Sequence, residues 1–330
     1  MGATLAPDRI LRELEAMWVT LANPGEGGTE AGVLRACSMT LIVLAEESEN
    51  VADFGETVAA LMPEHPARAI LIRLRGGGER ILADRVYAQC WMPFGQRRQI
   101  CCEQVEITAS DPALGDLASL LLPLAVPDLP VVLWCRSPRL VGMPEFRAIA
   151  AIAQKVIVDT TAFPDARAAL RRLADAVARG VLLGDLAWTR ITRWREMVGQ
   201  VFENRERLAQ LPRISRVRAG FSGNNEPLAW YMGAWVANAL ADAGVRAEFS
   251  VFADQTPSLR VLLEGEGFHA ELVREQERMV VTINDFSTCT SLSQPTDYLL
   301  MREELSIVRP DPVFEKTLAS AAQLAYASGK

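Results

Sequence analysis

Two tryptophans and three arginines fall within eight residues, in Trp188-Thr-Arg190 and Arg193-Trp-Arg195. On a helix, Trp188, Ile191 and Trp194 share a face and Arg190 and Arg193 flank it. Two readings fit this pattern. Trp and Arg are the side chains that most often anchor protein interfaces, and clustered arginines grip phosphate, so Trp188, Arg190, Arg193, Trp194 and Arg195 are candidate partner-binding residues. A core helix edged by arginines has the same spacing, because tryptophans usually bury. The pattern alone leaves both open.

A second candidate is the loop Gly220-Phe-Ser-Gly-Asn-Asn-Glu-Pro227, between a strand pattern and a helix pattern. Backbone N–H groups of Ser222, Gly223, Asn224 and Asn225 could hold an anion at the helix start. The loop matches neither GxGxxG nor GxxxxGK[ST], and Glu226 would repel an anion there, so a plain strand–helix connection is favoured. His65, in His65-Pro-Ala-Arg68, reads as a turn residue with no nucleophile or acid beside it. No GxSxG, no HExxH and no close pair of carboxylates in an apolar frame is visible. The six cysteines (37, 90, 101, 102, 135 and 289) form no CxxC pair and lie mostly in apolar runs, which reads as buried reduced thiols. With His65 and His269 the only histidines, no metal centre is expected and no cofactor is called for.

The elements that must carry these residues read as α/β. Residues 1–20 form an amphipathic helix and Asn23–Gly28 a glycine-rich break. Met39–Ala45, a helix from Val51 stopped by Pro63, and Ala69–Leu74 make a βαβ unit. Ile81–Trp91 and Gln99–Ala109 are strands of a hairpin around Pro93-Phe-Gly95. A leucine-faced helix from Leu114, the strand Val131–Cys135, a helix over 145–154 and the strand Lys155–Asp159 complete an open mixed sheet with helices. Residues 164–212 read as helical, with Asp185 capping a helix whose apolar face runs Trp188, Ile191, Trp194, Val198 and Phe202. A smaller C-terminal α/β (α+β) region then opens with a strand at Arg216 and a helix from Pro227 to Ala243. Strand patterns at 245–252, 258–263, 268–273 and 279–284 suggest an antiparallel meander, followed by helices over 296–305 and 312–327. The expected domains are therefore 1–163, 164–212 and 213–330.

Of the 330 residues half are hydrophobic and 23% charged, which is the balance of a folded globular protein. A net charge of −7 argues against a general nucleic-acid binder, which needs a basic surface. No apolar run approaches the roughly 20 residues that span a bilayer, and no signal peptide is evident, so a cytoplasmic protein without membrane contact is expected.

Several segments together resemble one family. They are Arg35 with Met39-Thr-Leu-Ile-Val43; His65-Pro-Ala-Arg68; Pro123-Leu-Ala-Val-Pro-Asp-Leu-Pro-Val-Val-Leu-Trp134; Asp185-Leu-Ala-Trp-Thr-Arg-Ile-Thr-Arg-Trp-Arg195; Gly233-Ala-Trp-Val-Ala-Asn-Ala-Leu240; and the tail from Arg302 to Phe314. In this order they resemble the glucose-6-phosphate dehydrogenase assembly proteins, the OpcA family. Cys135 departs from the pattern, since members often carry a second tryptophan there. The resemblance implies a non-catalytic assembly factor and allosteric activator of the oxidative pentose phosphate pathway. Such a protein binds glucose-6-phosphate dehydrogenase and stabilises its active oligomer. The alternative from the residues is a sugar-phosphate or nucleotide sensor, using the 220–227 loop or the Arg190–Arg195 cluster as an anion site.

Overall fold

The computed structural model describes residues 5–22, 33–49, 51–93, 98–255 and 259–327. The glycine-rich break at 23–28 and residues 94 and 95 of the hairpin turn lie outside them. The chain divides into two compact units, Met1–Val158 and Asp159–Lys330, so the helical stretch 164–212 belongs to the second.

The first unit begins with helix α1 (Pro7–Ala22), which buries Ile10 and Leu14, and the short strand β1 (Val33–Arg35). β2 (Met39–Glu46), α2 (Val51–Leu61) and β3 (Ala67–Arg75) form the expected βαβ unit, with β2 and β3 parallel. Seven of the eight β2 residues are buried, as in strands covered on both faces. β4 (Leu82–Trp91) and β5 (Gln99–Ser110) pair antiparallel as a hairpin. α3 (Leu114–Leu124) leads to β6 (Val131–Cys135), which is buried throughout. A short helix not expected from the sequence, α4 (Pro138–Val141), precedes the helix expected over 145–154, which is α5 (Pro144–Ala150); a proline opens the first turn of each. β7 (Lys155–Val158) follows. The strand order is β1-β5-β3-β2-β6-β7, parallel apart from β4, which pairs only with β5.

A buried ion cluster ties this unit together. The Glu103 carboxylate accepts from Trp18 Nε1 at 2.6 Å and from buried Arg68, and pairs with Arg35 at 2.7 Å. Arg68 also donates to the Leu124 carbonyl at 2.8 Å. A buried charge has to be paired in this way. The expectation of six reduced thiols is corrected at one pair. Cys90 and Cys101 face each other across the β4–β5 ladder and form a disulfide. Cross-strand neighbours lie within disulfide reach, and spacing along the sequence does not reveal such pairing. Cys102 and Cys135 are buried thiols, pushed up to about 11 and about 12 by desolvation. Cys37 is half-buried and Cys289 exposed.

The second unit opens with a 3-10 turn, Thr160–Ala162, and α6 (Ala166–Ala178), N-capped by Asp165. The helical stretch is then interrupted by the strand β8 (Leu183–Asp185). The single helix expected after Asp185 is two, α7 (Leu186–Arg190) and α8 (Thr192–Val201), parted at Ile191. α9 (Arg205–Leu208) ends the stretch. β9 (Ile214–Phe221), α10 (Glu226–Asp242) and β10 (Glu248–Ala253) make a parallel crossover. β11 (Leu259–Gly265), β12 (Phe268–Glu275) and β13 (Arg278–Ile283) form an antiparallel meander, but β10, expected as its first strand, lies at the opposite edge and pairs parallel with β9. A further strand, β14 (Phe286–Ser291), was not legible in the hydrophobic pattern because it is exposed throughout and mostly polar. The order is β10-β9-β11-β12-β13-β14. α11 (Asp297–Ser306) and α12 (Pro312–Ala327) close the chain.

Candidate functional site

The segment 185–195 is built around a buried carboxylate. Asp185 N-caps α7 by accepting from Ala187 N at 3.0 Å. The same carboxylate accepts from Thr160 N at 3.0 Å, Thr160 Oγ1 at 2.7 Å and Tyr231 OH at 2.7 Å. Complete burial, reinforced by the nearby charge of Asp159, pushes its carboxyl up to about 6. Burial and the same carboxylates raise the Tyr231 hydroxyl well above its ordinary value. Burial acts in the same upward direction on Asp159. There the hydrogen bonds and charge of Arg190 outweigh it and hold the carboxyl below the usual range. Asp159 and Asp185 end separate apolar runs, and each is held by its own partners, Asp159 by Arg190 and Asp185 by Thr160 and Tyr231.

The five candidate partner-binding residues take four different places. Trp188 and Trp194 are buried, at 3% and 4% exposure. Trp188 packs edge-on against Tyr231 at 5.9 Å and against Phe314 at 5.8 Å. Arg190 is committed to Asp159, at 2.8 Å and 3.2 Å. Arg195 lies over the Trp188 ring and donates to Thr192 Oγ1 at 3.0 Å, with Nε buried and unpartnered; desolvation lowers its guanidinium. Arg193 alone projects into solvent, with 76% of its side chain exposed and Glu196 at 2.7 Å. As direct contacts the tryptophans are thus out of reach of a partner, because α7 and α8 turn that face into the unit. They lie in the core beneath the exposed surface of α8.

That surface continues onto α11. Thr192 Oγ1 donates to Glu303 at 2.8 Å, and beneath it Thr189 Oγ1 donates to the buried Glu304 at 2.7 Å. The connection after α11 then exposes Val308, an apolar side chain 76% in solvent, beside exposed Arg309. Thr189, Glu304 and Tyr231 were missed in the sequence, since nothing local distinguishes a buried polar residue on an apolar helix.

In the 222–225 loop, Asn225 N and both asparagine side chains donate to the protein itself. Asn225 donates through N and Nδ2 to Ser222 O, and Asn224 Nδ2 donates to Thr161 O at 3.1 Å. Gly223 takes a φ of +59°, the left-handed turn that glycine adopts freely. Glu226 opens α10 with its carboxylate held by Arg167 Nε at 3.0 Å and Trp230 Nε1 at 3.1 Å. An anion arriving there meets a fixed negative charge whose compensating arginine is already engaged.

Open parallel sheets usually hold ligands where the strand order reverses, here between β2 and β6. At those carboxyl ends Arg136 Nε donates to Glu49 at 2.7 Å, and Ser137 Oγ donates to Glu46. Arg139 bridges Glu46 at 3.2 Å and Asp111 at 2.6 Å. The turn after β2 reads Glu46-Glu-Ser-Glu49, with carboxylates where a dinucleotide site has glycines and free N–H groups. These residues pair with one another and do not fit a pyrophosphate.

Comparison with known proteins gives a consistent answer. The family described as glucose-6-phosphate dehydrogenase subunit N-terminal domain matches residues 58–175, and the corresponding C-terminal domain matches residues 182–318. Curated relatives described as OpcA of the OxPP cycle include one from Nostoc punctiforme, 31% identical over 179 residues, and one from Synechocystis sp., 26% identical over 198 residues. These matches cover 53% and 59% of this chain but 38% and 40% of the relatives, so the chain matches about two fifths of their length. Among solved structures, a 3-ketoreductase from Actinomadura kijaniata is similar at a TM-score of 0.49 and 15% identity, covering 87% of this chain and 96% of that one. Biliverdin reductase from Synechocystis sp. is similar at 0.43 and 12%, covering 88% and 99%. With both of its halves matched in order, the chain belongs to the OpcA family.

Proposed function

We propose that the protein is a non-catalytic cytoplasmic partner of glucose-6-phosphate dehydrogenase that favours the enzyme's active oligomer. The observation that carries this reading is the match of both halves of the chain to domains described as parts of a glucose-6-phosphate dehydrogenase subunit. Support from the geometry comes from the ion cluster at the β2–β6 switch point, whose arginines and carboxylates pair with one another and whose one hydroxyl, Ser137, is bonded to Glu46 and fully buried. The docking surface we assign is the face of α8 and α11 with the connection after it: Arg193, Glu196, Glu303 and Val308 as contacts, Trp188, Trp194, Arg190 and Arg195 as their buried frame.

Activation is then a population shift. A partner that binds the active assembly more tightly than the inactive one moves the equilibrium by that difference, and a near-complete shift needs roughly 5.5 kcal/mol. Two or three well-packed contacts suffice, since single hot spots reach roughly 2 kcal/mol or more.

The test is dehydrogenase activity and oligomer mass with and without the protein, using the enzyme of the same organism. A rise in rate with a stable co-eluting complex is expected, and Arg193→Glu with Val308→Asp should weaken both. A complex that forms unchanged with the double variant moves the docking surface elsewhere. No complex at any salt or glucose-6-phosphate concentration overturns the function.

A further inference from the structure

β14 is exposed along its whole length, Phe286 by 72%. It ends the sheet order, with β13 on one side and, among the described residues, no strand on the other. The hairpin fixes which of its amides are free. Leu292 N donates to Glu277 O at 2.8 Å, and Ile283 and Phe286 pair across the turn Asn284-Asp285. Residues of an antiparallel strand bond alternately to either side. Phe286, Thr288, Thr290 and Leu292 therefore bond towards β13, while Ser287, Cys289 and Ser291 turn their N–H and C=O groups outward.

Natural edges are guarded by lysine, proline, bulges or inward charges. β14 has none of these: it carries no charge and no proline, and its register with β13 runs without a bulge. The opposite edge, β10, by contrast opens on Glu248. The segment has a further property. Phe286-Ser-Thr-Cys-Thr-Ser-Leu292 is a palindrome in residue class about Cys289. Two copies laid antiparallel about a twofold axis at Cys289 set Phe286 against Leu292, Ser287 against Ser291, Thr288 against Thr290 and Cys289 against itself. Each pair is like with like, which is the self-complementarity an isologous interface demands, and Thr–Thr and apolar cross-strand pairs stabilise sheets. In the same register the outward residues of both copies join through about six N–H···O=C bonds.

We propose that the protein self-associates through β14, two copies pairing their edge strands antiparallel about a twofold axis at Cys289 to make one continuous sheet. A different partner strand would satisfy the amides equally, but only a second copy uses the palindrome.

Sedimentation equilibrium of the full chain across the micromolar range tests this directly. The expected mass is twice that of the chain. Cys289→Lys sets two like charges face to face at the axis and should weaken dimerisation at least tenfold with an unchanged melting temperature, while Cys289→Ser keeps the dimer. In a Cys37→Ser background, a short bis-maleimide should link two chains through Cys289. A wild-type mass of one chain throughout, or a dimer indifferent to Cys289→Lys, overturns the proposal. Should the lysine variant fail to fold, the cross-link decides, and its absence is equally fatal. A monomer whose Cys289 is protected only when dehydrogenase is added also overturns it and gives the edge to the enzyme.

Discussion

The guanidinium of Arg195 lies 3.6 Å from the centre of the buried Trp188 ring. Trp188 in turn touches Tyr231 and Phe314, so one arginine caps an aromatic cluster drawn from three helices. Arg195→Ala removes both the cation–π contact and the aliphatic cover of the ring, and should cost about 1–2 kcal/mol in chemical denaturation. Arg195→Lys should recover only part of the loss, because an ammonium cannot stack as a planar guanidinium does. Equal stability of the lysine and arginine forms would reduce the contact to charge alone.

Tyr231→Phe should destabilise the second unit by about 1–3 kcal/mol, since it takes a donor from a carboxylate that has no access to water. The effect should appear in the melting temperature with little change in secondary structure by circular dichroism.

The acidity of Asp185 gives a sign that can be checked. Its folded carboxyl titrates at about 6, against about 4 for an unfolded aspartate. Between these values the folded state holds more protons, so stability contributed by this group rises as pH falls from about 6 to about 4 and is flat above. Asp159 works the other way, because Arg190 depresses it, and its contribution is lost as pH falls below about 4. Urea titrations from neutral pH downward should show a shallow gain before acid unfolding, and Asp185→Asn should flatten it. A loss of stability that begins immediately below neutrality would contradict this assignment.

Reducing the Cys90–Cys101 disulfide, or replacing both residues by serine, should lower the stability of the first unit by about 2–3 kcal/mol, as expected for a short closed loop. Calorimetry with and without reductant separates this from the second unit, whose transition should not move.

Arg193→Glu should leave the melting temperature unchanged, since the side chain stands in solvent. Its effect should instead be a severalfold slower association with the dehydrogenase and a changed salt dependence. An unaltered association rate would remove Arg193 from the docking surface.

Much of the fold could be read from the sequence, and where reading failed the reasons are physical. β2 and β6 announced themselves because strands buried on both faces are short continuous apolar runs. The break at Ile191 did not, because Trp188, Ile191 and Trp194 keep helical spacing on both sides of it. β14 was silent because an exposed strand has no apolar alternation to display. At the site, Trp and Arg were visible by type, but their burial was not, since periodicity marks a face without saying what covers it. The polar partners Thr160, Thr189, Tyr231 and Glu304 meet only through tertiary folding, so no spacing rule joins them.

Asp185 also sets an order of events in the making of the chain. Its partners lie two residues after it, at Ala187, 25 residues before it, at Thr160, and 46 residues after it, at Tyr231. A nascent chain that has released Thr160 and Ala187 but not Tyr231 leaves this buried carboxylate one donor short. The packing around α7 should therefore be completed only when α10 has emerged, and a chain stalled before Tyr231 should show the amides of residues 186–190 exchanging faster than in the finished protein.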